Sequence, residues 1–263
     1  SYWHQAHSYV RGNWRRAEDT TPMILAKCCH DLDLLQHFAG AKCESVSSVG
    51  DLTYFTSVNA PEGAAKRCLD CKYLDSCPYS AKTLYIEKWK KQGRPENCWP
   101  YNVLTMALPL TEEAIGEAIK NGPYGRCVFA CDNDVVDHQL TQMTFQNGVK
   151  ATLTMTAFTA DGGRIMKFYG TTGEVVLDET RDVIEVKPFG GEKRALGLSA
   201  LNESGYGHGG GDYGLVRELY EVLCGREKTT TSLEESVESH LIGICAEESR
   251  KAGGKLVKIH ENV

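Results

Sequence analysis

Residues 137–158 read DHQLTQMTFQNGVKATLTMTAF. Two alternating runs flank Asn147-Gly148, the dipeptide best suited to a tight hairpin because both residues tolerate left-handed backbone. In the second run Val149, Ala151, Leu153, Met155 and Ala157 share one face, and Lys150, Thr152, Thr154 and Thr156 share the other. One face packs and one stays polar, as an open antiparallel sheet requires, the polar face meeting solvent or a partner subunit.

Working outward from this hairpin, the segments RCVFA (126–130), RIMKFYG (164–170), GEVVLDE (173–179) and DVIEVKPF (182–189) read as strands separated by turn residues. SVSSVGDLTYF (45–55) predicts one earlier strand, and KLVKI (255–259) a last short one. Helices are predicted nearer the ends. Pro22 suits a helix start, and Ile24, Cys28, Leu32, Leu35 and Phe38 fall on one helical face that Gly40 terminates. LVRELYEVLC (215–224) predicts a second helix. SLEESVESHLIGICAEESRKAG (232–253) predicts a third, with Ser232 and Glu235 as a capping box and Gly253 as its stop. Residues 1–21 read as extended. Residues 59–109 form an irregular, cysteine-bearing stretch in which AKTLYIEKWKK (81–91) suggests a short helix, as TEEAIGEAIKN (111–121) does just beyond it. The pattern predicts an α+β fold, a large open and mostly antiparallel sheet with helices packed on one face.

The 263 residues suffice for a sizeable core, and the formal net charge is −6. No basic face suggests nucleic acid, and no apolar run approaches the ~20 residues of a bilayer span. The opening residues do not have the design of a signal peptide, so the chain is expected to work in the cytosol. Eleven cysteines are an odd and generous number. In a cytosolic chain buried thiols or a metal site explain them better than disulfides do.

Three places could carry chemistry. Lys27, His30, Asp31 and Asp33 lie together on the first long helix, with Lys27–His30 and His30–Asp33 each three residues apart and therefore neighbours on its surface. A histidine beside carboxylates can move a proton near neutral pH, and a lysine beside it can stabilise a developing oxyanion. The same spacing also describes a solvated Lys–Asp face with one hydrogen-bonded histidine. Second, Cys68 and Cys71 form C-x-x-C, Cys77 follows, and Cys98 is the obvious fourth ligand, with Cys127 or Cys131 behind it. This spacing suits a closed structural zinc site, an iron–sulfur cluster, or simply reduced thiols in a loop. Third, Gly209, Gly211 and Gly214 formally satisfy GxGxxG, but the surrounding sequence lacks the strand–turn–helix–strand context of a dinucleotide site. A better reading is a loop whose Asp212 caps the following helix, with His208 facing a pocket.

Taken in order, WHQAHSYVRGNWR (3–15), ILAKCCHDLDLL (24–35), CLDC…CPYSA (68–81), CDNDVVDHQ (131–139), GHGGGD (207–212) and SLEESVESHL…AEESR (232–250) resemble one bacterial branch of the Gfo/Idh/MocA oxidoreductases. The resemblance covers essentially the whole chain. It implies a two-domain enzyme, in which an N-terminal Rossmann domain binds NAD or NADP and supplies a lysine from an E-K-P motif. A C-terminal α/β domain supplies the substrate pocket and the oligomer interface. Residues 1–263 match only the second domain, with the cysteine stretch as an insert, and the Rossmann domain is expected to be absent.

In that family the helix facing the nicotinamide carries D-x-x-x-H-x-x-D. His30 and Asp33 match its last two positions, while its first falls on Ala26, so that Lys27 or Asp31 is expected to take over part of the role. The resemblance makes His30 the proton acceptor and Asp33 its orienting group. It places His208, Asp212, Arg15 and Trp14 around a sugar, cyclitol or related polyol. A homo-oligomer through the sheet is expected. Two rival readings remain, a catalytically silent zinc-stabilised binding or oligomerisation module and an NAD-dependent glycosidase.

Overall fold

The computed structural model describes residues 1–201, 210–229 and 232–261. It falls into two compact units, Ser1–Thr159 with Glu234–Val263, and Ala160–Leu233.

The first unit is built on the hairpin. Strands β2 (His138–Phe145) and β3 (Lys150–Thr156) pair antiparallel from His138↔Thr156 to Thr144↔Lys150. Their turn closes with Gly148 N–H donating to Phe145 C=O at 2.9 Å, and Gly148 takes the left-handed φ of +88° that the sequence foretold. β1 (Cys43–Asp51) adds antiparallel to β2, and the two-residue β8 (Val257–Lys258) adds to β1, giving the order β3-β2-β1-β8. The apolar side of this sheet carries Val46, Met143, Phe145 and Met155. They share one core with Ile24, Cys28 and Leu32 of α2 (Met23–Ala39) and with Ile242, Cys245 and Ala246 of α7 (Leu233–Lys251). Gly243 permits the helices to approach closely, because a Cβ there would stand 2.4 Å from Leu25 Cδ2. α2 ends at Gly40, φ +66°, and the turn after α7 uses Gly253, φ +70°. Phe38, expected on the buried face of α2, is instead half exposed; Gln36 and Ala39 take the buried positions.

A second core lies under the cysteine-bearing stretch and includes Ala6, Val10, Phe55, Tyr85, Trp89, Tyr101, Ile115, Ile119 and Phe129. Here the sequence reading needs correction. Residues 2–11 are helical, α1 (Tyr2–His4) continuing as the π-helix Gln5–Arg11, where extended chain was expected. All seven π-helical residues are buried, so no polar stripe betrays the period. Residues 126–130 form turns, with only an isolated bridge between Arg67 and Arg126. The two short helices expected hereabouts are present. One is the π-helix Lys82–Glu87 with α3 (Lys88–Lys91), and the other is α5 (Glu112–Asn121), whose Thr111 cap accepts from Ala114 N–H at 3.1 Å. α4 (Tyr101–Leu104) is one further turn.

The second unit holds β4 (Ile165–Tyr169), β5 (Gly173–Asp178), β6 (Val183–Pro188) and β7 (Arg194–Leu196), antiparallel in that order, with α6 (Gly211–Leu223). The α+β class is as read from the sequence, but the strands are divided between two four-stranded sheets. The chain passes from β3 to β4 through residues 157–164, which contain Gly162-Gly163 and lie outside the strands of both sheets. β7 escaped notice because it is three exposed residues with no alternation to read.

Candidate functional site

α2 carries the proposed catalytic face. Its apolar residues turn Ile24, Cys28 and Leu32 into the core, so Lys27 and His30 emerge exposed, and Asp31 and Asp33 are half-buried. His30 Nδ1 lies 3.1 Å from Cys29 Sγ. No hydrogen bond joins His30 to Asp33, so the aspartate does not orient the ring here; Cys29 holds that position.

The N-terminal helix brings a histidine to this face that the spacing argument missed. His4 is half-buried, and burial together with the Lys27 charge pushes its pKa down to about 4. Its ring lies edge-on to Trp99 at 4.9 Å, and Trp99 in turn lies 5.0 Å from Trp3. Tyr9 stands 5.7 Å from His4, and burial and the neighbouring thiols of Cys28 and Cys29 raise its hydroxyl well above the usual range. The Lys88 ammonium sits over the Trp3 ring, 2.9 Å from its centroid, and burial lowers its pKa to about 8. His7, deeper, bonds the Tyr85 hydroxyl through Nδ1 at 2.9 Å and stacks on Tyr124 at 4.7 Å; burial and the nearby His4 lower its pKa to about 3. The result is an aromatic platform, Trp3 and Trp99, bordered by a neutral histidine and the Lys27 cation. The tilted tryptophan rings offer apolar faces to a ligand, and the neutral imidazole offers one donor and one acceptor. Histidines at positions 4 and 7, interleaved with aromatics, were the available signal in the sequence.

Arg15 is bound to Asp132 through Nε at 2.9 Å and Nη2 at 3.1 Å. Arg126 Nη1 reaches the same carboxylate at 2.6 Å, and these two guanidiniums hold the Asp132 pKa well below the usual carboxylate range. Arg15 therefore ties two loops together. Trp14 beside it is exposed. His208 and Gly209 lie outside the described residues. Asp212 is within the first turn of α6, not its cap; the cap is Gly210, φ +91°. A carboxylate there still complements the helix dipole.

Among the described residues the strand arrangement is not that of a dinucleotide-binding fold. Both sheets are antiparallel throughout, α6 is followed by the Gly225 turn and then by α7, and no strand intervenes among the described residues. A nicotinamide fold needs parallel strands around its glycine turn.

The cysteines divide differently from expectation. Cys68, Cys71, Cys77 and Cys127 line one cavity of about 230 Å³, and Cys98 does not. Burial raises the Cys77 and Cys127 thiols, and each feels Cys68, Cys71 and Arg11 nearby. As placed, no three histidine, cysteine, aspartate or glutamate side chains among the described residues are grouped to hold a metal ion. Among those residues, too, no helix is long and apolar enough to cross a membrane.

A family model described as oxidoreductase family, C-terminal alpha/beta domain, matches residues 1–259. Levoglucosan dehydrogenase in complex with NADH is 14% identical, with a TM-score of 0.58 over 97% of this chain and 55% of that one. Its complex with NADH and L-sorbose gives 15%, 0.57, 97% and 56%. An oxidoreductase domain protein from Kribbella flavida gives 13%, 0.57, 94% and 54%. At these identities the likeness is one of fold, and the chain spans about half the length of each of these proteins. A search of curated protein sequences gives no match.

Proposed function

The chain belongs to the Gfo/Idh/MocA oxidoreductase family, as its C-terminal α/β domain, and from that premise we propose that it forms the substrate side of an NAD- or NADP-dependent dehydrogenase acting on a hydroxyl of a sugar, cyclitol or related polyol. The cofactor would be held by an N-terminal Rossmann domain, a reading supported by the chain's spanning about half the length of NADH-bound relatives. Solved relatives carry NADH, and one carries L-sorbose, which supports the cofactor and substrate class.

The observation that carries the reading is the exposed His30 on α2, three residues from Lys27, whose charge acts on His4 beside Trp99. His30 accepts the proton of the reacting hydroxyl; with Nδ1 engaged by Cys29, Nε2 is the atom that receives it. Lys27 stabilises the oxygen as it gains negative charge. His4, neutral at physiological pH, binds a second hydroxyl, and the tryptophan faces cover the apolar face of the ring. Asp33 is assigned a supporting part on the same helix. His208 and Asp212 are assigned to substrate binding on the same family grounds. A second copy docking against the open sheet completes the assignment.

The test uses the complete gene product with NAD and NADP against a panel of pyranoses, anhydrosugars and cyclitols. His30→Ala should lower turnover ~10²-fold or more, with a smaller change in KM. Turnover within a few-fold of wild type removes His30 from the role. A complete product that binds no dinucleotide sinks the dehydrogenase reading.

A further inference from the structure

The four-cysteine cavity is not used by the proposed reaction, and its construction is unusual. C-x-x-C presents Cys68 and Cys71 from the single 3₁₀ turn Cys68–Asp70, and Cys77 follows at the end of the next turn. Cys127 comes from far along the chain and is fixed by backbone. Its N–H donates to Lys66 C=O at 2.9 Å, beside the isolated bridge between Arg67 and Arg126. The Cys68 thiol points the same way, 3.7 Å from Arg126 C=O. Four thiols from three separate segments thus open onto one space.

Arg11 gives the independent evidence. It is fully buried, 0% exposed, and lines the same cavity. Its Nε donates to Arg126 C=O at 2.7 Å, and its Nη2 to Tyr79 C=O at 2.6 Å and to Cys68 Sγ at 3.4 Å. Its Nη1 is buried without a well-formed hydrogen bond; the neutral Tyr85 hydroxyl, bonded to His7, lies beside the guanidinium and brings no negative charge. No carboxylate lies within ion-pair distance of this guanidinium among the described residues. A guanidinium cannot discharge by losing its proton, so burial without an anion is strongly unfavourable. The groups arranged to supply negative charge are the cysteines.

We propose that Cys68, Cys71, Cys77 and Cys127 hold a thiolate-ligated metal centre, a zinc ion or an iron–sulfur cluster, with Arg11 as its buried counter-cation. Either occupant makes a dianionic centre with four thiolates, and either gives Arg11 the negative charge it lacks. Ligation exchanges four S–H bonds for sulfur–metal bonds and releases the protons to solvent. Cys71 and Cys77 are partly exposed and lie at the ends of short turns, where side-chain rotation can bring their sulfurs inward. Cys98 is excluded from the ligand set.

The experiment is metal and acid-labile sulfide analysis of the complete gene product, purified anaerobically and without added metal. About one zinc without sulfide identifies the mononuclear centre, and iron with matching sulfide identifies the cluster; either supports the proposal. Cys127→Ser should abolish stoichiometric metal, and Cys98→Ser should leave it unchanged; the reverse pattern overturns the ligand set. Because Cys127→Ser can fail to fold, the wild-type protein is also alkylated with and without chelator and mapped by mass spectrometry. Protection of Cys71 and Cys77 that chelator removes supports the site. Absence of metal together with chelator-independent alkylation overturns it. None of these readouts depends on dehydrogenase activity.

Discussion

Asp137 is fully buried at the start of β2 and holds the loop after β1. Its Oδ2 accepts from Thr53 N–H at 3.0 Å, Tyr54 N–H at 2.7 Å and, more weakly, Phe55 N–H at 3.4 Å. Its Oδ1 meets His138 Nδ1 at 2.8 Å and the Thr53 hydroxyl at 3.3 Å. Phe55, at the centre of the second core, owes its position to this arrangement. Asp137→Ala strands two well-placed backbone donors that pointed at a charged acceptor. Bonds of that kind are each worth about 1.5–3 kcal/mol, so allowing for water entry the loss should be about 4 kcal/mol. Asp137→Asn can keep its oxygen on the backbone donors and turn its amide toward His138, so it should cost about 1 kcal/mol. Trp3, Trp14, Trp89 and Trp99 all belong to the first unit, so tryptophan fluorescence in urea reports that unit alone. With a slope of about 2 kcal/mol per molar, the alanine variant should lower the midpoint by about 2 M. A shift below about 0.5 M, or an asparagine variant as damaged as the alanine one, would refute this account of the loop.

Two further outcomes follow from geometry and charge. A Cβ at Gly125 would stand 1.5 Å from Ile119 C=O, whereas one at Gly116, inside α5, meets nothing within 4 Å. Gly125→Ala should therefore cost about 3 kcal/mol or prevent folding, and Gly116→Ala should gain about 0.5–1 kcal/mol, both read by thermal denaturation. His4 and His7 hold their protons more weakly folded, near 4 and 3, than the ordinary 6.5. Unfolding therefore takes up protons below pH 6.5. Stability is fully present above that value and falls as pH drops toward 3, so Tm should decline through this window. The double variant His4→Gln/His7→Gln should flatten the profile; an unchanged slope would assign the acid sensitivity to other groups.

The hairpin at Asn147-Gly148, the long helices and the α+β class were legible because each is a local pattern. Alternation fixes which face of β3 packs, and an αL glycine ends α2 wherever the rest of the chain goes. The exposure of Lys27 and His30 was legible for the same reason, being the reverse of the Ile24–Cys28–Leu32 face. The buried π-helix at Gln5–Arg11 was not, since a segment covered on every side shows no period. Nor did spacing reveal that Cys29 replaces Asp33 beside His30, that Asp132 occupies Arg15, or that His4 meets Lys27. The cysteines make the contrast sharpest. C-x-x-C announces itself over four residues, but Cys98 and Cys127 look alike as remote thiols. Only the backbone bond from Cys127 to Lys66, made between distant segments, carries one of them into the cavity with Arg11. Sequence determines what local dihedral preference and burial period can write, and tertiary structure alone decides which distant side chains meet.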